Sequence, residues 1–211
     1  MKKIYVVGDS KNYAKFIDDY ELVNDIKSAD IVIFTGGEDV CPEFYNAKIH
    51  PTTYFNKGRD YDEIAEFNKI KNNQLVIGIC RGSQLMCVLN GGLLIQDVSN
   101  HALGFTHSIV ELSTGNIYDI TSTHHQMAYP FNMKKEDYTI LFGSYPNRSR
   151  YYSGDLIDPD KVSIEPEITL YHKKNKPKCL AIQGHPEYMD KNNPIIPKLN
   201  EIINNLLKEI K

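Results

Sequence analysis

Gln74-Leu75-Val76-Ile77-Gly78-Ile79-Cys80-Arg81-Gly82-Ser83-Gln84 is an apolar run of strand length that stops at a cysteine between two glycines; Leu85, Met86, Val88 and Leu89 then begin a helix. Strand, sharp turn and helix around G-x-C-x-G is the pattern of a nucleophile elbow. Glycine is needed on both sides, because the turn forces an unfavourable backbone at the nucleophile and brings strand and helix too close for side chains. The helix start sets partial positive charge beside the sulfur, which favours thiolate, and leaves the Arg81 amide free to donate to an oxyanion. Asn90-Gly91-Gly92 supplies the stop. The competing reading is a buried structural cysteine in a strand-to-helix connection.

Upstream of the elbow, Lys3 to Val7 and Ile31 to Thr35 read as further strands. Ile64, Phe67 and Ile70 recur at helical spacing behind the acidic Asp60, Asp62 and Glu63, as expected of a crossover helix in a right-handed βαβ unit. Downstream, Ser108 to Leu112, Tyr138 to Phe142, Glu167 to Tyr171 and Cys179 to Gln183 read as short strands suited to antiparallel pairing. Lys173 to Lys178 has the composition of a turn and is expected to be a solvated loop. Leu199, Ile202, Ile203, Leu206, Leu207 and Ile210 form the apolar stripe of a final helix, and Ser144 to Asp160 reads as irregular. The expectation is one α/β domain over residues 1–211: a mostly parallel central sheet, flanking helices and a small antiparallel sheet.

With 211 residues, 41% of them hydrophobic, the chain is large enough for a full core, and a second large domain is not expected. A formal charge of -3 gives no overall field for nucleic acid or an anionic membrane. No stretch reaches the roughly 18 apolar residues of a membrane span, and Met1 to Gly8 leads into a strand rather than a signal peptide, so a cytoplasmic protein is expected. Cys41, Cys80, Cys87 and Cys179 show neither zinc spacing nor a disulfide framework. Cys87 and Cys179 read as packing residues; Cys41 stays open.

A thiolate that cleaves amides needs a base to protonate the leaving amine, and the base needs an orienting partner. Gln183-Gly184-His185-Pro186-Glu187 offers both, with histidine and glutamate two apart on backbone that proline keeps extended. With these residues the chain resembles the class I glutamine amidotransferase-like superfamily, and within it the γ-glutamyl hydrolase branch. Gly36-Gly37-Glu38-Asp39-Val40 with Pro42 and Tyr45, Gly58-Arg59-Asp60 with Glu63, the elbow with Gly91-Gly92, His107 with Ser122-Thr123-His124-His125-Gln126, and Gln183 to Glu187 follow the branch's motifs in order.

The resemblance implies a flavodoxin-like three-layer sandwich and a cysteine hydrolase. Cys80 would be the nucleophile, His185 the general acid and base, and Glu187 its orienter; the amides of Gly37 and Arg81 would form the oxyanion hole. Gly36, Gln84, His124 and His125 would bind the substrate. The rival readings of His124 and His125 are a capped histidine pair between strand and loop, which is the stronger, and a metal site with His107; zinc spacing is absent, and neither metal nor cofactor is expected. The sequence departs from the branch between His107 and His124 and over Ser144 to Asp160. The latter carries Arg148 and Arg150 among Tyr145, Tyr151 and Tyr152, a composition that suits phosphate and a base. The expected reaction is hydrolysis of a γ-glutamyl amine, or of a γ-glutamyl nucleotide amidate such as γ-glutamyl-CDP-amidate, with the leaving group contacted by Arg148 and Arg150. Alternatives are a glutaminase subunit of an amidotransferase and a catalytically silent binding module. The expected partner is the small-molecule substrate, with no nucleic acid and no membrane; a homodimer is left open.

Overall fold

The computed structural model describes residues 1–8 and 10–210. The first half supplies strands β1 (Lys2–Val7), β2 (Tyr20–Leu22), β3 (Ile31–Phe34) and β4 (Leu75–Ile79), with helices α1 (Lys57–Phe67) and α2 (Arg81–Asn90). The remainder supplies β5 (Leu93–Ile95), β6 (Asp97–Val98), β7 (Ala102–Glu111), β8 (Ile117–Thr123), β9 (Met127–Tyr129), β10 (Tyr138–Ser144), β11 (Tyr152–Ser153), β12 (Glu165–Tyr171), β13 (Cys179–Ile182) and helix α3 (Ile195–Ile210). Nine strands form one sheet in the order β2-β1-β3-β4-β13-β12-β10-β7-β8. The first five in that order run parallel, and the last four join antiparallel. Two ribbons, β5 with β9 and β6 with β11, stand beside the sheet.

Successive strand residues face opposite sides, and the apolar strands use both sides. Ile31, Ile33 and Ile77 share a cluster with Leu199 and Ile203 of α3. Val32, Phe34 and Val76 share another with Phe67 of α1 and with Leu85 and Met86 of α2. One face is therefore covered by α3 and the other by α1 and α2, which gives the three layers of a flavodoxin-like fold. β13 arrives from far along the chain and pairs in parallel with β4, Ile182 opposite Ile79. That pairing puts the residues after β13 beside the residue after β4.

Three details depart from the sequence reading. The antiparallel strands mostly extend the central sheet, and only the two-stranded ribbons stand apart. α1 begins at Lys57 and is capped by Asn56, whose side chain accepts from the Arg59 amide at 3.2 Å. Asp60 and Glu63 therefore lie inside α1 and are buried; they serve Arg81 rather than the helix terminus. The lysine loop is not simply solvated: Lys173 Nζ donates to Asn90 O at 3.3 Å and Lys176 Nζ to Leu89 O. These are carbonyls of the last turn of α2, which lack intrahelical donors and attract cations. Among the described residues, no helix is long and apolar enough to cross a membrane.

Candidate active site

Cys80 stands between β4 and α2 with φ 52° and ψ −109°, a backbone that costs a non-glycine residue energy. The amides of Ser83 and Gln84 bond back to Cys80 O at 2.9 and 3.2 Å and start the helix. The close approach expected at the flanking glycines is observed. A Cβ on Gly78 would lie 2.4 Å from Gly82 O, and one on Gly82 would lie 2.3 Å from Phe34 O. Beneath the elbow the buried Arg81 guanidinium is ion-paired with Asp60 and Glu63 of α1. Arg59 extends the network, bonding Glu63 Oε1 at 2.8 Å, Glu38 Oε2 at 2.7 Å and Gly36 O at 2.9 Å. The Gly36-Gly37 turn after β3 is thereby held next to the elbow. Among the described residues, the amides of Gly37 and Arg81 donate to no protein acceptor.

His185 follows β13, its amide donating to Thr121 Oγ1 at 2.7 Å while the Thr121 hydroxyl donates to His185 O at 3.1 Å. Its Nδ1 lies 2.7 Å from Glu187 Oε1. Burial pushes the His185 pKa down, but hydrogen bonds to Cys80 and Glu187 outweigh it and raise the value to about 10. The ring stacks on Tyr188, centroids 4.8 Å apart at 12°, and Tyr13 packs at 6.3 Å. A Cβ on Gly36 would lie 2.9 Å from His185 Cε1 and 3.5 Å from the Cys80 Cβ. Cys80 and His185 therefore meet beside Gly36 at the carboxyl ends of β3, β4 and β13. A cleft of about 860 Å³, lined among others by Tyr5, Asn56 and Arg59, adjoins this point through Tyr13, Gly36 and Tyr188, the neighbours of His185.

The other site residues fall into two groups. Gln84 is buried and donates to Gln126 O at 3.0 Å, with Gln183 Oε1 at 3.5 Å. His125 bridges Asp39 Oδ1 at 3.1 Å and Asp97 Oδ1 at 3.5 Å, and the hydrogen bond to Asp39 raises its pKa. His124 instead points into the interior, its Nδ1 2.8 Å from Gln126 O; burial lowers its pKa to about 3 and keeps it neutral. Arg148 and Arg150, like Cys80, His185, Gln84 and His125, are not among the residues that line that cleft. The Arg148 amide donates to Glu165 Oε2 at 2.7 Å, and the Arg150 amide to Ser99 Oγ at 2.8 Å. Tyr151 OH donates to Asp97 at 2.8 Å, so this segment adjoins His125 through Asp97. Sequence reading missed the aromatic walls Tyr13 and Tyr188. Asp39 was legible, since it lies inside the Gly36-Gly37-Glu38-Asp39-Val40 motif.

A sandwich with a strand-end cysteine elbow and an adjacent His-Glu pair defines the class I glutamine amidotransferase-like proteins, and the whole fold is that of this class. A glutamine amidotransferase from Thermotoga maritima aligns with TM-score 0.51 at 10% identity, over 99% of this chain and 96% of the other. A GMP synthase component from Thermoplasma acidophilum aligns with TM-score 0.58 at 15% identity, over 100% and 94%. The chain belongs to the Peptidase C26 family, whose model matches residues 15–129. Protein NtpR of Enterococcus hirae is 36% identical over 78 residues, 36% of this chain and 33% of the relative. The glutamine amidotransferase-like protein YvdE of Lactococcus lactis is 36% identical over 89 residues, 40% and 36%. The chain thus spans about a third of the length of each of these relatives.

Proposed function

We propose that this protein hydrolyses the γ-glutamyl amide bond of an N-substituted glutamine through a thioester on Cys80. The observation that carries the reading is the 2.7 Å contact of His185 Nδ1 with Glu187, on the imidazole that stands beside Cys80 at its strained turn. The Cys80 thiolate attacks the γ-carbonyl, and the oxyanion takes hydrogen bonds from the Gly37 and Arg81 amides. His185 gives its proton to the departing amine. It then removes one from the water that releases glutamate, with Glu187 holding the ring in its tautomer. Gln84 and His125 hold the glutamyl head. No cofactor enters these steps.

The finer reading is that the leaving amine is phosphorylated or nucleotide-linked, as in γ-glutamyl-CDP-amidate, and is met by Arg148 and Arg150. The link from Tyr151 through Asp97 to His125 supports placing that segment at the substrate's far end. The test is glutamate release from glutamine, γ-glutamyl-γ-aminobutyrate and a γ-glutamyl nucleotide amidate. Wild type is compared with Cys80→Ser and with the Arg148→Ala, Arg150→Ala pair. Cys80→Ser is expected to lose at least about 10³-fold in kcat while melting as wild type does. The arginine pair should lose only the nucleotide substrate. Release from free glutamine alone, or undiminished turnover in Cys80→Ser, would overturn the reading.

A further inference from the structure

Away from the elbow, β7, β8 and β12 enclose a buried polar cluster that the chemistry above does not use: His101, His107, His124, Ser144, Glu165 and Glu167. Buried polar groups are ordinarily hydrogen-bonded. Here His101 Nδ1 and Nε2, His107 Nε2, His124 Nε2 and Glu167 Oε2 are all buried without a well-aligned partner. For His124 the tautomer follows from its one contact. Nδ1 faces a carbonyl oxygen, which can only accept, so the proton sits there and Nε2 presents a bare lone pair. Beside it Glu167 Oε2 is a second bare acceptor. A cation bound between two buried acceptors that have no donor satisfies both.

We propose that His101, His124 and Glu167 form a binding site for a first-row divalent metal ion of the zinc class. One donor atom from each lies within 4.8 Å of those of the other two. The His101 and His124 rings stand 4.7 Å apart, tilted by 38°. Binding at zinc distances requires the donors to draw in to roughly 3.5 Å of one another. The side chains around the three ligands fit this assignment. His124 is oriented by the Gln126 carbonyl at 2.8 Å. His101 has Nδ1 3.6 Å from Glu167 Oε1, and its Nε2 lies 3.2 Å from Glu165 Oε2. The remaining oxygen of Glu167 is met by Ser144 Oγ and His107 Nε2, each at 3.2 Å. Outer partners of this kind hold metal-ligating histidines and carboxylates in position.

Charge supports the same assignment. A dication with neutral imidazoles offsets the two carboxylates of Glu165 and Glu167, which removes the penalty of burying net charge. The site is enclosed, so its role is structural. Gln126 O accepts from both His124 and Gln84 and thereby ties the ion to the Ser122–Gln126 segment beside the elbow.

The test is metal binding to the full chain after removal of metal with a chelator, in wild type, Cys80→Ser and Glu167→Gln. Cys80→Ser removes the one thiol that could hold zinc together with His185. Zn²⁺ should bind with one equivalent and raise Tm in wild type and in Cys80→Ser, and bind at least tenfold more weakly in Glu167→Gln. If Glu167→Gln does not fold, Co²⁺ bound to wild type gives the answer through its spectrum, which should lack a thiolate-to-metal band. No bound Zn²⁺ in wild type, binding lost in Cys80→Ser, or a thiolate band would overturn the proposal.

Discussion

At the scale of the residue, the site turns on His185, whose pKa is set by opposing forces. Burial favours the neutral ring, and hydrogen bonds to Cys80 and Glu187 favour the charged one, with the result at about 10. The folded value exceeds the unfolded reference of about 6.5. Its contribution to stability is therefore fully present below that reference and is lost as pH rises toward 10. In the proposed mechanism the same proton goes to the leaving amine, so kcat/KM should fall on the alkaline side through this pKa. Glu187→Gln removes one charge and should shift that limb down by about one unit or more while leaving measurable activity; His185→Ala should leave far less. An unshifted limb in Glu187→Gln would remove Glu187 from its assigned role. The sharp turn at Cys80 was legible in sequence because glycines about a turn are a local constraint, whereas the extended backbone expected across Pro186 is instead a 3-10 turn over Pro186–Tyr188, within which Glu187 meets His185 Nδ1 at 2.7 Å. Tyr188 stacked on His185 was not legible, since stacking depends on where a short turn aims a ring.

At the scale of the element, the elbow is held from below by charge. Arg81 leaves α2 at its first residue and meets two carboxylates from α1, all three nearly removed from water. Removing one member of a buried ion pair strands the others, at about 3–5 kcal/mol. Arg81→Met should therefore lower denaturant stability by about that much. Lys57→Ala, which breaks an exposed pair with Glu43, should barely change it. Equal effects from the two substitutions would show that the network does not anchor the elbow. Acidic residues ahead of an apolar helical pattern suggest a helix start, and that reading failed because Asn56 caps α1 one turn earlier. A sequence pattern cannot distinguish an acid that faces a helix terminus from one that faces a partner about twenty residues away. Strands β1, β3, β4 and β13 were legible as compact apolar runs. β2 and β8 were not, since each lies at an edge of the sheet and carries exposed residues.

At the scale of the whole molecule, α3 forms the layer on one side of the sheet together with Ala14, Phe16 and Ile17 of the segment after β1. Its apolar stripe was plain in the sequence, but its polar anchor was not. Asn200 is buried and donates to Phe16 O at 2.8 Å, while its Oδ1 accepts from the Asp18 amide at 2.9 Å. Asn200→Leu keeps the side-chain branching and leaves both backbone groups unpaired, at about 2–4 kcal/mol. If the three layers unfold as one unit, tertiary and secondary signals should shift together to a lower Tm. Loss of helical signal ahead of the rest would show that α3 is a separable layer.

The insertion of β13 between β4 and β12 also sets an order in time. During synthesis Cys80 emerges 185 minus 80, or 105, residues ahead of His185. At ribosomal rates of 5–20 residues per second, that gap lasts roughly 5 to 20 s. In the proposed mechanism the nascent chain therefore carries its nucleophile through that interval without the base that activates it. On that reading reactivity is switched on only when the last parallel strand is in place, and an unfinished polypeptide presents the cell with an ordinary thiol.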